Sequence, residues 1–393
     1  MTPTRNSAWP SWLRWVGALA LLASMAMSGC GGSVGVGGTG SYASGPIEGF
    51  GSIFVGGIEF DDASASVVDE EGGASSRDAL RLGVTTEVDG GEIGGSADAP
   101  TAVAARIRMI SDLVGLASHV DVAGGTLVVF GQTVRVSGIT AFDSALANGL
   151  ASVTDGAALE VFGRYDAAAK RFDATRIAPK NGTLAAFKVR GPVQDLNAGT
   201  KTFRIGAALF AYDGAQPLLA DGAYLRVLAE TVPVGGRWVL RSASEGVRLL
   251  PDLDQVKLRG TITAYASDTQ FSVNGQPVDA SQANFVGRPG DLGPGRAVVV
   301  DGSSRAGTLV AKKLRLDDNG GAQGNFTLKG AIESVDATAQ TFVLRGVTVD
   351  YSSNGLQWVG GSAANLVTGR AVTVRGILSA NGTRISARRI SFD

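Results

Sequence analysis

The stretch FSVNGQPVD, residues 271–279, decides how the rest of this sequence is interpreted. Apolar and polar residues alternate on both sides of Asn274 and Gly275, and this alternation predicts strands with one buried face. An Asn-Gly pair between two such runs predicts a β-hairpin with a two-residue turn, because both turn positions require a positive φ. The stretch therefore predicts a strand, a tight turn and a second strand.

Four other stretches repeat this pattern. They are IFVGGIEFD (residues 53–61), LVVFGQTVR (127–135), FRIGAALFAYD (203–213) and FVLRGVTVD (342–350). The copy at 203–213 has two additional residues, which predicts a longer turn. The turn glycines are Gly57, Gly131, Gly275 and Gly346. The hairpin ends at Asp61, Asp213, Asp279 and Asp350, and at Arg135 in the second copy.

Three further landmarks surround each hairpin in a fixed order. A glycine opens the preceding strand, at Gly45, Gly115, Gly191, Gly260 and Gly330. An eight-residue strand framed by glycines follows the hairpin, and Ala229 replaces the last glycine in the third copy. A closing strand carries a basic residue, predicted as Arg106, Arg176, Arg248, Lys313 and Arg389. The spacing of 69 to 76 residues between the opening glycines predicts five units.

Each unit reads as five short strands with a variable connection after the third. This order suits a small closed barrel of the oligonucleotide/oligosaccharide-binding (OB) kind, and a small sandwich is the alternative. Closure removes exposed strand edges from a unit that buries little core. We therefore predict an all-β chain, a tandem array of five small five-stranded OB-like β-barrel modules. The predicted modules span residues 45–111, 112–180, 187–250, 256–317 and 327–393. Polar, glycine-rich segments between them predict a semi-flexible string of beads, and packed neighbouring modules are the alternative.

Residues 1–30 predict an export signal. Arg5 and Arg14 precede an apolar run at residues 15–27, a signal helix shorter than the about 20 residues that span a bilayer. The segment ends in MSGC, which resembles the bacterial lipoprotein signal, in which the cysteine (Cys30) becomes the lipidated first residue. A secretory signal with a chance cysteine is the alternative. Residues 31–44 predict a flexible Gly/Ser tether, and Gly31, by the same resemblance, favours the outer membrane.

The opening of the first unit, GPIEGFGSIFVGGIEFD (residues 45–61), resembles a bacterial family known as domain of unknown function 5666. Members are exported proteins that carry several such modules, often behind a lipoprotein signal. The resemblance covers about residues 45–393, with the first unit closest to the pattern. It implies a small β-rich module and no particular activity.

Composition argues against several classes of function. The 35 basic and 36 acidic residues balance, so no global field favours nucleic acid. His119 is the sole histidine and Cys30 the sole cysteine, which excludes a zinc site built from these residues. The acidic loop DEEGG (residues 69–73) lacks the ligand spacing of a calcium loop and reads as a solvated turn. We expect no metal and no cofactor.

The recurring aspartates are the best candidates for catalysis, since a glycosidase needs two carboxylates across a cleft. An enzyme seldom repeats one catalytic residue on separate modules, and a carboxylate at a hairpin end suits a turn by accepting backbone N–H bonds. We predict a non-enzymatic envelope lipoprotein, anchored in the membrane by lipid, that binds a glycan or protein partner. An envelope glycan hydrolase with a carboxylate pair is the alternative. The net charge changes from −8 over residues 45–111 to +5 over residues 257–393. We interpret this change as drift among solvated faces, and an anionic glycan bound at the basic C-terminal end is the alternative.

Overall fold

The computed structural model describes residues 40–97, 99–288, 290–317 and 325–393. The predicted signal helix, Cys30 and residues 31–39 of the tether lie outside this range. The described residues form one compact unit. In its described part the chain forms strands and short 3-10 helices and no α-helix, which confirms the all-β prediction. No helix in these residues has the length and apolar character needed to cross a membrane.

Barrel 1 occupies residues 41–109. Its strands are β1 (Ser41–Phe50), β2 (Ile53–Val55), β3 (Ile58–Asp61), β4 (Ser66–Val68), β5 (Thr85–Gly90), β6 (Gly94–Ser96) and β7 (Ala99–Met109). Strand β1 pairs with β2 and β5, and β2 pairs with β3. Strand β3 lies parallel to β7, and β5 is antiparallel to β7. The sheet therefore closes on itself.

The same pairing order recurs along the chain. Barrel 2 contains β8 (Leu113–Asp121), β9 (Thr126–Val129), β10 (Gln132–Arg135), β11 (Ala141–Phe142), β12 (Ala158–Asp166) and β13 (Arg171–Pro179). Barrel 3 contains β14 (Phe187–Pro192), β15 (Gln194–Asn197), β16 (Thr202–Ile205), β17 (Ala208–Ala211), β18 (Tyr224–Ala229) and β19 (Trp238–Glu245). In both barrels the second strand of the hairpin, β10 or β17, lies parallel to the closing strand.

Barrels 4 and 5 complete the described chain. Barrel 4 contains β20 (Leu253–Ser267), β21 (Gln270–Val273), β22 (Gln276–Asp279), β23 (Asn284–Val286), β24 (Ala297–Arg305) and β25 (Thr308–Leu316). Barrel 5 contains β26 (Asn325–Asp336), β27 (Thr341–Leu344), β28 (Val347–Asp350), β29 (Gln357–Val359), β30 (Ala371–Leu378) and β31 (Ile385–Phe392). Parallel pairs β22–β25 and β28–β31 close them. The prediction of small closed barrels, as opposed to sandwiches, is confirmed.

The hairpin turns have the geometry that the sequence predicts. Asn274 and Gly275 have φ of +48° and +84°, and Arg345 and Gly346 have +52° and +68°. In barrel 3, however, Ile205 pairs directly with Ala208, so this turn also has two residues and the predicted longer turn is wrong. The two additional residues follow the hairpin, because β17 ends at Ala211.

The glycine near the end of the eight-residue strand marks a β-bulge. The pairing with the closing strand shifts register at Gly90, Gly163, Gly302 and Gly376. A Cβ on Gly302 would lie 2.1 Å from the carbonyl oxygen of Val310, so a larger residue would displace the closing strand. In barrel 3 the closing strand is β19, and the GVRL segment predicted for this role, residues 246–249, lies beyond its end. Ser242, and not Arg248, therefore occupies the place of the recurring basic residue.

The barrels pack against one another through strand edges and shared cores. The first half of β1 pairs with β5 on one side and β20 on the other, and its second half pairs with β2 and β26. Strand β8 pairs with β14. One apolar core spans barrels 1 and 5, and another spans barrels 2 and 3. The predicted semi-flexible string of beads is wrong, because strand edges that are unpaired within one barrel pair with strands of another barrel.

Candidate binding cleft between the barrels

A cleft of about 650 Å³ lies between barrels 1, 2 and 3. Barrel 1 contributes the loop after β4 and a 3-10 turn, barrel 2 contributes β12 and β13, and barrel 3 contributes β14 and β18. Its apolar lining includes Val84, Met109, Phe162 and Leu228. Its charged lining residues are Asp69, Glu70, Glu71, Asp78, Arg81, Asp143, Glu160, Arg176, Lys180, Lys188 and Arg226.

A buried carboxylate, Glu70, joins barrel 1 to barrel 3. It is 7% exposed, and its Oε2 accepts a hydrogen bond of 2.6 Å from Lys188 Nζ. The Arg226 Nε lies 2.9 Å from Oε1, and the Arg190 guanidinium also contacts Oε1. Lys188 Nζ donates a second bond, of 2.6 Å, to Ser111 Oγ. Glu70 is thus buried against barrel 3, although Glu71, Gly72 and Gly73 of the same loop are exposed as the sequence predicts.

The three cations around Glu70 share one face of the barrel 3 sheet. Lys188 and Arg190 are two residues apart on β14, so their side chains project to the same side. Arg190 and Arg226 are direct cross-strand partners, and like charges in this position repel. The negative charge of Glu70 offsets the repulsion among these three cations.

Two further carboxylates of the cleft walls, Asp143 and Glu160, are also held beside cations. Asp143 Oδ2 accepts a bond of 2.6 Å from Arg176, and Glu160 Oε2 accepts one of 3.0 Å from Lys180. Burial lowers the pKa of Arg176, and the neighbouring Asp143 carboxylate opposes that shift. The walls therefore present paired charges above an apolar lining, an arrangement suited to hydrogen bonding with a polar ligand.

Asp112 lies in the connection between barrels 1 and 2. Its Oδ2 accepts a hydrogen bond of 3.0 Å from the Gly163 backbone N–H, and its backbone oxygen accepts one of 2.9 Å from the Arg190 N–H. Burial raises the pKa of Asp112 to about 7, because loss of water disfavours the carboxylate. The Gly163 N–H and the charge of Lys188 offset this shift only in part.

The structure places the recurring aspartates at separate hairpin ends, and none of them lines the 650 Å³ cleft. Asp61, Asp279 and Asp350 each accept a backbone N–H two residues ahead, at 3.0, 2.9 and 2.8 Å. Asp61 also lines a surface recess beside Glu59. Asp213 lies beyond its hairpin, and Ala211 occupies the equivalent place, because Ala211 and Asp279 both pair with the closing strand.

The second hairpin ends in Arg135 in place of an aspartate, and a carboxylate on the adjacent closing strand neutralises its charge. Arg135 pairs with Asp173 of the closing strand and forms two hydrogen bonds of 2.8 Å with that carboxylate. Two of the recurring basic residues have different partners: Arg176, on the same closing strand, binds Asp143, and Arg248 binds Asp89 of barrel 1. The recurring aspartate and the recurring cation are thus not an ion pair of the barrel.

The remaining candidates for chemistry are isolated. His119 lies on β8 with an exposed side chain and a φ of +51°. Across the described ranges, no three histidine, cysteine or acidic residues are grouped so that they could hold a metal ion. Cys30, the predicted lipidation site, lies outside these ranges.

Replacing Glu70 by Gln should destabilise the protein by about 3–5 kcal/mol, because Lys188 and Arg190 would remain buried without a counter-charge. Glu71, which is 60% exposed and contacts Arg226, provides the matched control, and Glu71→Gln should cost about 0–1 kcal/mol. Denaturant unfolding measures both variants. Equal, small losses would show that the Glu70 cluster does not hold barrels 1 and 3 together.

Asp112 should make stability depend on pH. Its folded pKa of about 7 lies above the ordinary value of 3.8, so the folded state holds a proton that the unfolded state releases. The protonated Asp112 carboxyl group therefore contributes to the free energy of unfolding. This contribution is complete below about pH 4 and is lost as the pH rises to about 7. The stability of an Asp112→Asn variant, relative to the unmodified protein, should therefore rise by about 2–3 kcal/mol between about pH 5 and about pH 8.

Thermal unfolding across this pH range measures the effect. Asp221→Asn is the matched control for loss of a carboxyl group, because Asp221 accepts one backbone N–H bond, from Leu196, at an exposed position. Stability curves for Asp112→Asn and the unmodified protein that stay parallel across the range would contradict the assignment.

The comparison with known families follows the barrel boundaries. The model described as "Domain of unknown function (DUF5666)" matches residues 115–178, 259–315 and 329–391. Each match begins in the first strand and ends in the closing strand of one barrel: barrel 2, 4 or 5.

The matched ranges do not include residues 45–111, so the expectation that the first unit lies closest to the family pattern is wrong. Barrel 1 differs by the additional strand β6 and by the long loop that carries Glu70. No curated protein matches the chain. Barrels 2, 4 and 5 therefore each match the repeated domain of the DUF5666 family.

Proposed function

We propose that this chain is a lipid-anchored protein of the bacterial cell envelope, a non-enzymatic binding or scaffolding array of five OB-like modules. The boundaries predicted from the sequence are residues 45–111, 112–180, 187–250, 256–317 and 327–393. The first module begins earlier than predicted, because residues 41–44, assigned to the tether, lie in strand β1 and pair with β5. The MSGC motif at Cys30 and the tether after it support the anchor, and Gly31 supports an outer-membrane location. The recurring strand order supports the repeated module.

The cleft between barrels 1, 2 and 3 is the observation that carries the binding role. Its volume of about 650 Å³ lies within the roughly 300–1,000 Å³ typical of ligand sites. Its walls offer hydrogen-bond donors and acceptors, and its lining includes apolar side chains. A glycan has hydroxyl groups and apolar ring faces, so an envelope glycan is the ligand class that fits this combination.

The ion pairs in the cleft support binding over hydrolysis. A glycosidase uses one protonated carboxyl group and one free carboxylate on opposite sides of the scissile bond. The Asp143 and Glu160 carboxylates instead each form an ion pair, with Arg176 and Lys180. Such groups suit recognition of hydroxyl groups better than proton transfer.

Location and binding are tested separately. For location, Cys30→Ser should move the protein from the membrane fraction to the soluble fraction of the envelope, measured by fractionation and immunoblotting. Ser28→Ala, two residues away, serves as a control for changes in the signal that keep the cysteine. Membrane retention of the Cys30→Ser protein would contradict lipid anchoring.

For binding, an array of envelope glycans should identify a ligand, and titration should then measure its affinity. Arg81→Glu and Lys180→Glu in the cleft should each weaken binding about tenfold or more, equivalent to about 1.4 kcal/mol. Lys312→Glu, at an exposed position on barrel 4, is the control and should leave affinity unchanged. Equal effects of all three variants would contradict the cleft as the site, and release of shorter glycans would contradict the non-enzymatic role.

A further inference from the structure

A second, smaller cavity of about 50 Å³ lies where barrels 1, 2, 3 and 4 meet. Glu87 of barrel 1, Arg164 of barrel 2, Arg190 and Arg248 from barrel 3 and the segment after it, and Asn274 of barrel 4 contribute to its lining. A cavity needs about 10–15 Å³ to hold one water molecule. This one has room for roughly three to four waters.

Four polar atoms of the cavity-lining residues have no hydrogen-bond partner within the described part of the chain. They are Glu87 Oε2, Arg164 Nε, Arg190 Nε and Arg248 Nε. Arg164 is 5% exposed and Arg190 is 7% exposed. The Arg248 Nε lies 3.6 Å from Glu87 Oε2, beyond hydrogen-bond distance. Buried polar groups almost always have partners, so this cluster indicates a polar occupant.

The chemistry of the unpaired atoms identifies the class of occupant. Three of the four are guanidinium N–H donors on permanently charged side chains. Other nitrogens of these arginines already bind carboxylates: Arg164 Nη1 lies 2.9 Å from Asp317 Oδ2, and Arg248 Nη1 lies 2.9 Å from Asp89 Oδ2. The donors that remain match an acceptor with several oxygens, and arginine is the side chain that best recognises oxyanions.

The acidic groups that line the cavity do not oppose an anion at low pH. Burial raises the pKa of Glu87, and the charges of Arg248 and Arg108 offset that shift in part. Asp112 also lines the cavity, and burial raises its pKa to about 7. A protonated carboxyl group donates a hydrogen bond, so protonation adds donors where it removes negative charge.

We propose that this junction cavity binds one small tetrahedral oxyanion, of the sulfate or phosphate class, through Arg164, Arg190 and Arg248. The four oxygens of the anion take the place of a similar number of waters. The anion contacts arginines from different parts of the chain and binds only the folded state, so it stabilises the packing of the barrels. The proposal does not depend on the glycan cleft.

Sulfate is the suitable probe, because its charge stays constant across the pH range in which Asp112 titrates. With the full-length chain at constant ionic strength, the unfolding temperature should rise saturably with millimolar sulfate. The apparent affinity should be greater at about pH 6 than at about pH 8. A rise that is linear in sulfate, without saturation, would reflect general salt exclusion and would overturn the proposal.

Arg164→Lys and Arg259→Lys form a matched pair of variants. Both arginines bind Asp317, but Arg164 lines this cavity and Arg259 does not. Arg164→Lys should weaken sulfate binding about tenfold or more, whereas Arg259→Lys should leave the affinity unchanged. Equal losses in the two variants would overturn the proposal.

A crystal of the unmodified protein grown with selenate gives a readout that does not depend on the folding of a variant. The anomalous signal of selenium should locate one anion in the junction cavity, within hydrogen-bond distance of Arg164 Nε and Arg190 Nε. Ordered water alone in the cavity, at selenate concentrations that saturate the thermal shift, would overturn the proposal.

Discussion

The buried carboxylate of Glu70 is the interaction on which the arrangement of barrels 1 and 3 depends. Barrel 3 places Lys188, Arg190 and Arg226 on one face of its sheet, with Arg190 directly opposite Arg226. These charges repel one another unless a counter-charge lies between them. The loop of barrel 1 supplies that charge, and β8 pairs with β14 to bring barrel 2 alongside. The cleft and the junction cavity both result from this packing.

The size of the barrels explains why they associate. A barrel of about 60 residues buries a limited apolar core. The first strand of barrel 1, β1, therefore also pairs with strands of two other barrels. In each half of β1, one edge pairs within barrel 1, and the other edge pairs with β20 of barrel 4 or β26 of barrel 5. Pairing of this kind protects strand edges that would otherwise be open to aggregation. It also produces polar junctions, where arginines and carboxylates from different barrels meet.

Local features were predictable from the sequence because local chemistry determines them. The Asn274-Gly275 turn depends on glycine and was predicted, and the small closed barrels are confirmed. Gly302 was recognised as the end of a glycine-framed strand, but the bulge that it forms was not predicted. Alignment by residue type failed in barrel 3, where Ala211 and Ser242 hold the places assigned to Asp213 and Arg248. The long-range contacts left no signal: Lys188 and Arg190 alternate with apolar residues as on any half-exposed strand, and Glu70 lies in a loop that reads as solvated. Only the fold reveals that these residues meet.

Small-angle X-ray scattering of residues 38–393 tests most directly whether the barrels form one locked unit. A compact unit of this length has a radius of gyration of about 20 Å, and we predict this value together with the scattering profile of a single globular particle. A radius well above it, with a profile that fits independently moving barrels, would contradict the account. The cleft and the junction cavity would then not exist as stable sites in solution.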